Sequence, residues 1–174
     1  MRLSMKYALL EREQRFLLAE VPKDVEHIPA KEIYDRYLVG TGLRLRVVKE
    51  PDGMPVLKLG QKVRLDGPPP QAVAHTTMYL NEEDYGVLAA LPAAELTKSR
   101  RVAVVKGTTV AVDEFHGRLE GLVLAEIDLG EVGEVQSSPP QTLADVTEDE
   151  RFTGGALATT SADSLQRMLS DFRL

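Results

Sequence analysis

Five residues near the start of the chain, Glu11-Arg12-Glu13-Gln14-Arg15, decide the fold because they place charge inside an apolar strand. Apolar runs flank them on both sides. Side chains of a strand point to alternate faces, so Glu11, Glu13 and Arg15 are predicted to share one face. A charged face in a β-rich protein is costly unless it meets opposite charge, a metal ion or a polar ligand. The rest of the chain must therefore supply such partners.

The same alternation of charged and apolar residues recurs in four later segments. The charged members are Arg44 and Arg46, Lys58, Lys98 and Arg100, and Glu126 and Asp128. One such strand is typical of a solvated sheet face. Five of them, sorted into acidic and basic sets, favour an inward face that binds a polyphosphate together with a divalent cation. Carboxylates bind Mg²⁺ or Mn²⁺, and Arg and Lys bind phosphate oxygens. Salt bridges between the basic and acidic strands remain the alternative.

Length and composition favour a globular chain with one domain spanning residues 1–174. The 174 residues can bury a sizeable core, and 43% of them are hydrophobic. The net charge of −6 argues against a protein that coats nucleic acid. The absence of cysteine excludes disulfides and thiolate metal sites. No apolar run resembles a signal or membrane segment, so we expect a cytoplasmic protein that does not bind a membrane.

Local patterns predict many short strands and few helices, which favours an antiparallel sheet closed into a barrel. The predicted strands are 6–19, 34–39, 43–49, 54–60, 73–80, 95–105, 109–115 and 121–129. Glu50-Pro51-Asp52-Gly53 is typical of a tight turn. Helices are predicted around 30–35, over 82–90 before Pro92, and from Ser161 to about Phe172.

The order of these motifs resembles the CYTH-domain superfamily of class IV adenylate cyclases and thiamine triphosphatases, also called triphosphate tunnel metalloenzymes. The resemblance covers roughly Lys6 to Ala158. It rests on Glu11, Glu13 and Arg15 followed by Phe16-Leu17-Leu18, on Tyr37-Leu38, on the basic pairs Arg44/Arg46 and Lys98/Arg100 with Lys58, on Val112-Asp113-Glu114-Phe115, on the strand ending in Glu126 and Asp128, and on Val146-Thr147 with Asp149, Arg151 and Phe152.

The resemblance implies a closed antiparallel eight-stranded β-barrel with a few flanking helices and a charged lumen. It implies Mg²⁺- or Mn²⁺-dependent hydrolysis of inorganic tripolyphosphate or thiamine triphosphate. The implied metal ligands are Glu11, Glu13, Glu126 and Asp128. The implied phosphate-binding residues are Arg44, Arg46, Lys58, Lys98, Arg100 and Arg151. Arg15 and Tyr37 are the implied catalytic residues.

Two departures from the family pattern leave other functions open. His75-Thr76-Thr77-Met78-Tyr79 stands where hydrolytic relatives carry Arg-x-Glu-x-Glu, and Arg15 replaces the signature lysine. The alternatives are a class IV-type adenylate cyclase and a non-catalytic triphosphate- or nucleotide-binding protein. The expected partners are a small-molecule triphosphate and a second copy of the chain, and no nucleic acid is expected.

Overall fold

The computed structural model describes residues 6–67, 70, 72–105, 107–130 and 134–172. Within these ranges the chain forms one antiparallel sheet of ten strands. The strands are β1 (Leu9–Glu11), β2 (Glu13–Leu18), β3 (Lys31–Leu38), β4 (Leu43–Lys49), β5 (Val56–Arg64), β6 (Val73–Leu80), β7 (Ala93–Val105), β8 (Thr108–Phe115), β9 (Val123–Asp128) and β10 (Thr142–Asp145). The predicted mainly antiparallel β architecture is therefore confirmed.

The helices are few and short. They are α1 (Lys23–Glu26), α2 (Glu82–Ala89), α3 (Gly154–Thr159) and α4 (Ala162–Ser170), with 3₁₀ turns at Gly117–Leu119 and Glu150–Phe152. The predicted start of α2 is correct, because the Asn81 side chain accepts a hydrogen bond from the backbone N–H of Asp84 at 2.7 Å. Every helix of the described residues is too short or too polar to cross a membrane.

The hydrogen-bonded sheet is not closed, so the predicted closed eight-stranded barrel is not confirmed. The strand order is β1-β6-β5-β4-β3-β7-β8-β9-β2-β10. The predicted first strand is divided at Arg12: β1 pairs with β6, whereas β2 pairs with β9. The far edge of β2 carries β10, which pairs with Phe16–Leu18. In the described backbone pairing β6 therefore ends on β1 and β10 ends on β2, and the chain through Arg12 links β1 to β2.

The helix predicted around residues 30–35 is wrong. That segment is the start of β3, which pairs with β4 on one edge and with β7 on the other. Ile33 and Asp35 are buried while Glu32 is exposed, and this period of two belongs to a strand. Pairing along both edges outweighs the weak local helix preference. The helix in this region is α1, which precedes the segment.

Each inner strand face is apolar at one end and charged at the other. In β2, Leu17 is buried in an apolar cluster while Arg15 and Glu13, on the same face, line a cavity. Leu96 and Lys98 repeat this order in β7. The second 3₁₀ turn supplies Phe152 to this cluster, α3 supplies Leu157 and α4 supplies Leu165, so these elements cover the apolar end of the sheet. The charged end is left as the cavity.

A second apolar cluster lies on the opposite face of the sheet. Phe16 and Leu18, the neighbours of Leu17 in β2, pack there with Val25 of α1 and with residues of β8 and β9. Because adjacent residues of β2 serve the two clusters, this strand is buried on both faces. A shift of one residue in its register would exchange its charged and apolar faces.

The packing of α4 gives a testable stability prediction. Leu165 is 1% exposed, so Leu165→Ala should lower the free energy of unfolding by about 2–5 kcal/mol through lost burial and a cavity. Val87, which is 70% exposed on α2, is the control. Val87→Ala should change the free energy of unfolding by less than about 0.5 kcal/mol. Urea unfolding of the two variants and the wild type measures both. Equal effects would contradict the assignment of α4 to the core.

Candidate functional site

A cavity of about 530 Å³ lies on the inner face of the sheet, at the charged end of the strands. Its wall is formed by residues of strands β1–β7 and β9, by the β3–β4 turn and by the residues that begin α3. The lining residues are Glu11, Glu13, Arg15, Tyr37, Thr41, Gly42, Leu43, Arg44, Arg46, Gly60, Lys62, Arg64, Val73, His75, Lys98, Arg100, Glu126, Thr153, Gly154 and Gly155. One wall built from so many strands shows that the sheet wraps around the cavity.

Positive charge predominates in the cavity although the chain as a whole is acidic. Seven lining residues are arginine or lysine, and three are glutamate. The whole chain carries a net charge of −6. Low-dielectric walls concentrate the field of such a set of charges within the cavity. An anionic ligand is therefore favoured there over a cationic one.

Asp35 holds one side of this basic wall. The Arg46 Nε and Nη2 atoms donate to the two Asp35 carboxylate oxygens at 2.6 and 2.7 Å. Asp35 is 1% exposed. Burial alone would raise the pKa of the Asp35 carboxyl, but the hydrogen bonds and charge of Arg46 outweigh burial and lower it below its ordinary value. Asp35 therefore stays ionised and keeps Arg46 oriented toward the cavity.

Asp113 has the same role on the other side. It is completely buried and accepts hydrogen bonds from Lys98 and from Arg100, the latter through both guanidinium positions at 2.6 Å. Burial lowers the pKa of the Lys98 ammonium, and the neighbouring Arg100 lowers it further. Asp113 is thus an ion-pair partner behind the wall and does not line the cavity.

Every oxygen of the three cavity glutamates has a basic partner. The Glu11 oxygens lie 2.7 Å from His75 Nδ1 and 3.0 Å from Lys62 Nζ. The Glu13 oxygens lie 2.8 Å from Lys62 Nζ and 3.5 Å from Arg15 Nη2. Glu126 Oε1 accepts a hydrogen bond from Arg15 Nε at 3.3 Å, and Glu126 Oε2 accepts one from Arg100. Basic side chains thus surround three of the four predicted metal ligands, Glu11, Glu13 and Glu126.

These partners shift the protonation equilibria of the acidic and basic groups. Burial alone would raise the pKa of Glu11, but hydrogen bonds from His75 and Lys62 lower it to about 2. Burial opposes the charge of Lys62 as well, yet the attraction of Glu13 and Glu11 raises its pKa above the ordinary value. The pKa of Glu126 lies well below its usual range, because the charges of Arg100 and Lys98 outweigh burial. All three groups are ionised near neutral pH.

The described residues do not fit a resident divalent metal ion. They contain no group of three or more His, Asp or Glu side chains arranged to hold one. A hard divalent cation needs several oxygen ligands. The oxygens of Glu11 and Glu13 instead face the Lys62 ammonium, which is a cation already present in the chain.

Three residues predicted for the site lie outside the cavity wall. Lys58 is on the expected face of β5, but its ammonium lies over the Tyr79 ring, 5.1 Å from the ring centre. Asp128 ends β9 and is exposed, and its carboxylate accepts from the Gly130 N–H at 2.8 Å. Arg151 is exposed and pairs with Asp149 and Asp171. Lys58 and Asp128 therefore do not line the cavity in the described structure, contrary to the expectation.

The other predicted residues meet at the cavity, as the alternation of the strands implied. They are Glu11, Glu13, Arg15, Tyr37, Arg44, Arg46, Lys98, Arg100 and Glu126. Burial raises the pKa of the Tyr37 hydroxyl, so it remains a neutral donor near neutral pH. Tyr37 also requires glycine at position 154, because a Cβ on that residue would lie 2.0 Å from the Tyr37 hydroxyl oxygen.

Sequence analysis missed Lys62 and His75 as partners of the acidic strand. Lys62 lies four residues after Lys58 on the same face of β5, so extending the period-two pattern along this strand could have identified it. His75 pairs in register with Lys62, and the pairing of β6 with β1 brings it to Glu11. Thr77 and Tyr79, on the departing segment of β6, are exposed and do not line the cavity.

The fold is similar to that of one protein of which two structures have been solved. A structure of the inorganic triphosphatase NE1496 aligns with a TM-score of 0.57 and 24% identity, covering 86% of this chain and 95% of that one. A second NE1496 structure aligns with a TM-score of 0.58 and 21% identity, covering 86% and 98%. A conserved hypothetical protein from Pyrococcus furiosus aligns with a TM-score of 0.47 and 17% identity, covering 74% of this chain and 81% of that one.

The two NE1496 alignments confirm the predicted resemblance at the level of the fold. No protein-family model matches the sequence, and no curated protein matches it.

Asp35 gives the pH prediction. Because its pKa is lower in the folded state, its contribution to stability is full above its ordinary pKa of 3.8 and is lost as pH falls through the folded-state value. Asp35→Asn should lower the free energy of unfolding by about 3–5 kcal/mol at pH 7, since Arg46 stays buried without its partner. It should also reduce the loss of stability below pH 3.8.

Urea unfolding measured between pH 2 and 7 tests both effects. Asp52 is exposed in the β4–β5 turn, so Asp52→Asn is the matched control and should unfold like the wild type. An Asp35→Asn variant that loses stability in acid as steeply as the wild type would show that Asp35 is not the titrating group.

Proposed function

We propose that this chain binds a linear triphosphate in the central cavity and hydrolyses it. The observation that carries the proposal is the excess of arginine and lysine inside the cavity of an acidic chain. A triphosphate carries several negative charges along a short flexible chain and has oxygens on every phosphorus. Arginine and lysine bind such oxygens through charge-assisted hydrogen bonds.

Arg44 is the cavity cation best prepared for a phosphate. Its Nε has no hydrogen-bond partner within the described part of the chain. Its nearest carboxylate oxygen, on Asp35, is 3.7 Å away, while Arg46 takes both Asp35 oxygens at shorter distance. A buried donor without a partner costs stability, and a phosphate oxygen would satisfy it. Asp35 therefore attracts the Arg44 guanidinium but does not accept a hydrogen bond from its Nε.

Gly60 keeps the space beside Arg44 clear. A Cβ added at Gly60 would lie 3.5 Å from Arg44 Nη2 and 3.3 Å from His75 Nε2. The glycine therefore leaves backbone alone at this point of the wall. A ligand oxygen can approach both nitrogens here without meeting a side chain from β5.

The proposed hydrolysis relies mainly on positioning and charge. Phosphoryl transfer requires that the ligand be held in line and that its equatorial oxygens meet positive groups. Arg44, Arg46 and Arg100 would supply those groups from strands β4 and β7. The neutral Tyr37 hydroxyl would donate to a phosphate oxygen or orient the attacking water, which is the proposed nucleophile.

The proposed substrate class is supported by the fold neighbour and by the charge of the cavity. NE1496 is an inorganic triphosphatase, and its fold is the one found here. Inorganic tripolyphosphate is therefore the first substrate to test, and thiamine triphosphate the second. The metal dependence predicted from sequence, with Mg²⁺ or Mn²⁺, stays a prediction; phosphate-release assays with each metal and with EDTA test it.

Binding without turnover is the second candidate function. The favouring observation is that all six oxygens of the cavity glutamates are paired with basic groups. No carboxylate in the wall is thereby left to activate a water. Tight binding of tripolyphosphate with no phosphate release would select this candidate over the hydrolase.

The binding prediction concerns Arg44. Tripolyphosphate at about 100 times its Kd should raise the melting temperature by about 5–10 °C. Arg44→Ala should weaken binding by about 10- to 100-fold, because a charge-assisted hydrogen bond is lost. Calorimetric titration measures Kd, and a thermal melt measures the shift.

Arg167→Ala is the control, since Arg167 is exposed on α4 and distant in the chain from the cavity strands. Its Kd should equal that of the wild type. A wild type indifferent to millimolar tripolyphosphate, or an Arg44→Ala variant with unchanged Kd, would argue against the proposed site.

A further inference from the structure

Lys62 lies where a cation that joins Glu11 and Glu13 is expected. Its Nζ is 3.0 Å from Glu11 Oε2 and 2.8 Å from Glu13 Oε1. The two glutamates belong to different strands, β1 and β2, on either side of the division at Arg12. One ammonium from β5 thus connects the two strands that diverge at the open seam of the sheet.

The outer oxygens of this pair are occupied as well. His75 Nδ1 contacts the second Glu11 oxygen, and Arg15 Nη2 contacts the second Glu13 oxygen. A cation shared by two carboxylates, with a basic group on each remaining oxygen, is a complete charge arrangement. It needs no further ion to be neutralised.

We propose that the Lys62 ammonium is a built-in counter-ion that takes the place of a divalent metal between Glu11 and Glu13. The chain then binds triphosphate without a resident metal at this pair. The part that concerns triphosphate rests on the proposed function. The part that concerns the cation stands on the geometry of the three side chains alone.

Electrostatics and ligand geometry both oppose a metal beside Lys62. A divalent ion within a few ångströms of the ammonium would meet strong repulsion in a partly buried site. Mg²⁺ also requires oxygen ligands at about 2.0–2.1 Å, so it would have to take the oxygens that Lys62 now holds. Removing the Lys62 ammonium would make the pair of carboxylates favourable for a divalent ion. Two close carboxylates would then repel each other, and a divalent ion would relieve that repulsion.

Lys58 offers a matched control on the same strand and the same face. Its ammonium lies over the Tyr79 ring, and it does not line the cavity. Lys58→Met removes the same charge from β5 as Lys62→Met does. It leaves Glu11 and Glu13 paired with Lys62.

Calorimetric titration with Mn²⁺, in the absence of triphosphate, tests the proposal. Lys62→Met should bind Mn²⁺ at least about tenfold more tightly than the wild type. Lys62→Arg and Lys58→Met should bind it as weakly as the wild type. The double variant Lys62→Met/Glu11→Gln should lose the gain. Wild-type affinity equal to that of Lys62→Met, together with weaker binding by Glu11→Gln alone, would overturn the proposal.

A thermal melt supplies a second readout. Mn²⁺ should raise the melting temperature of Lys62→Met and leave that of the wild type unchanged, because it binds the folded site only in the variant. Lys62→Gln, which keeps a polar side chain, is a second neutral variant, and Mn²⁺ should raise its melting temperature as well. Melts of both variants that do not respond to Mn²⁺ would overturn the proposal.

A titration of the wild type with tripolyphosphate in EDTA separates this inference from the proposed function. Binding in EDTA within about threefold of that in Mg²⁺ is expected, since the chain supplies its own cation. Binding only in the presence of metal would overturn the metal-free site. Absence of binding in either buffer would overturn the proposed function and the triphosphate part of the inference, while the Mn²⁺ results for Lys62 would decide the cation part.

Discussion

The structure depends on one constraint: charges on the inner face of the sheet must be paired before a strand can turn that face inward. Asp35 and Asp113 meet this constraint on opposite sides of the cavity. Each is almost fully buried, and each holds basic side chains from a neighbouring strand. Burial of an unpaired charge would cost several kcal/mol. These two carboxylates therefore determine where the inward arginines and lysines can lie.

Among the described residues that line the cavity, basic side chains still outnumber carboxylates. Asp35 accepts both strong hydrogen bonds from Arg46 and is 3.7 Å from Arg44. The six carboxylate oxygens of the three cavity glutamates are likewise paired with basic side chains, which are Lys62, Arg15, His75 and Arg100. An anion that enters the cavity would complete the balance. Function and stability are thus linked, because the basic side chains that are costly to bring together would provide the binding energy for a polyanion.

The division of the inner face into apolar and charged ends explains how such a site coexists with a stable core. Leu17, Leu96 and Leu124 lie on the same strand faces as the cavity residues and are covered by α3 and α4. The cluster excludes water from one end and holds the strands at fixed spacing. The glycine at 154 belongs to this junction, since the Tyr37 hydroxyl occupies the space of its missing Cβ. Core and cavity are therefore two parts of one inner surface.

The sequence by itself determined which residues share a strand face, because the period of two is a property of the local backbone. It predicted most strands and nine of the residues that line the cavity, Arg44 and Arg100 among them. Tertiary structure decided which strands are neighbours. It brought His75 to Glu11 and Lys62 to both Glu11 and Glu13, placed Lys58 against Tyr79, and let β10 take the edge that would have closed the sheet. It also made residues 31–38 a strand through pairing on both edges. These contacts join residues far apart in the chain, and their energies depend on register and burial, which no local pattern of residues encodes.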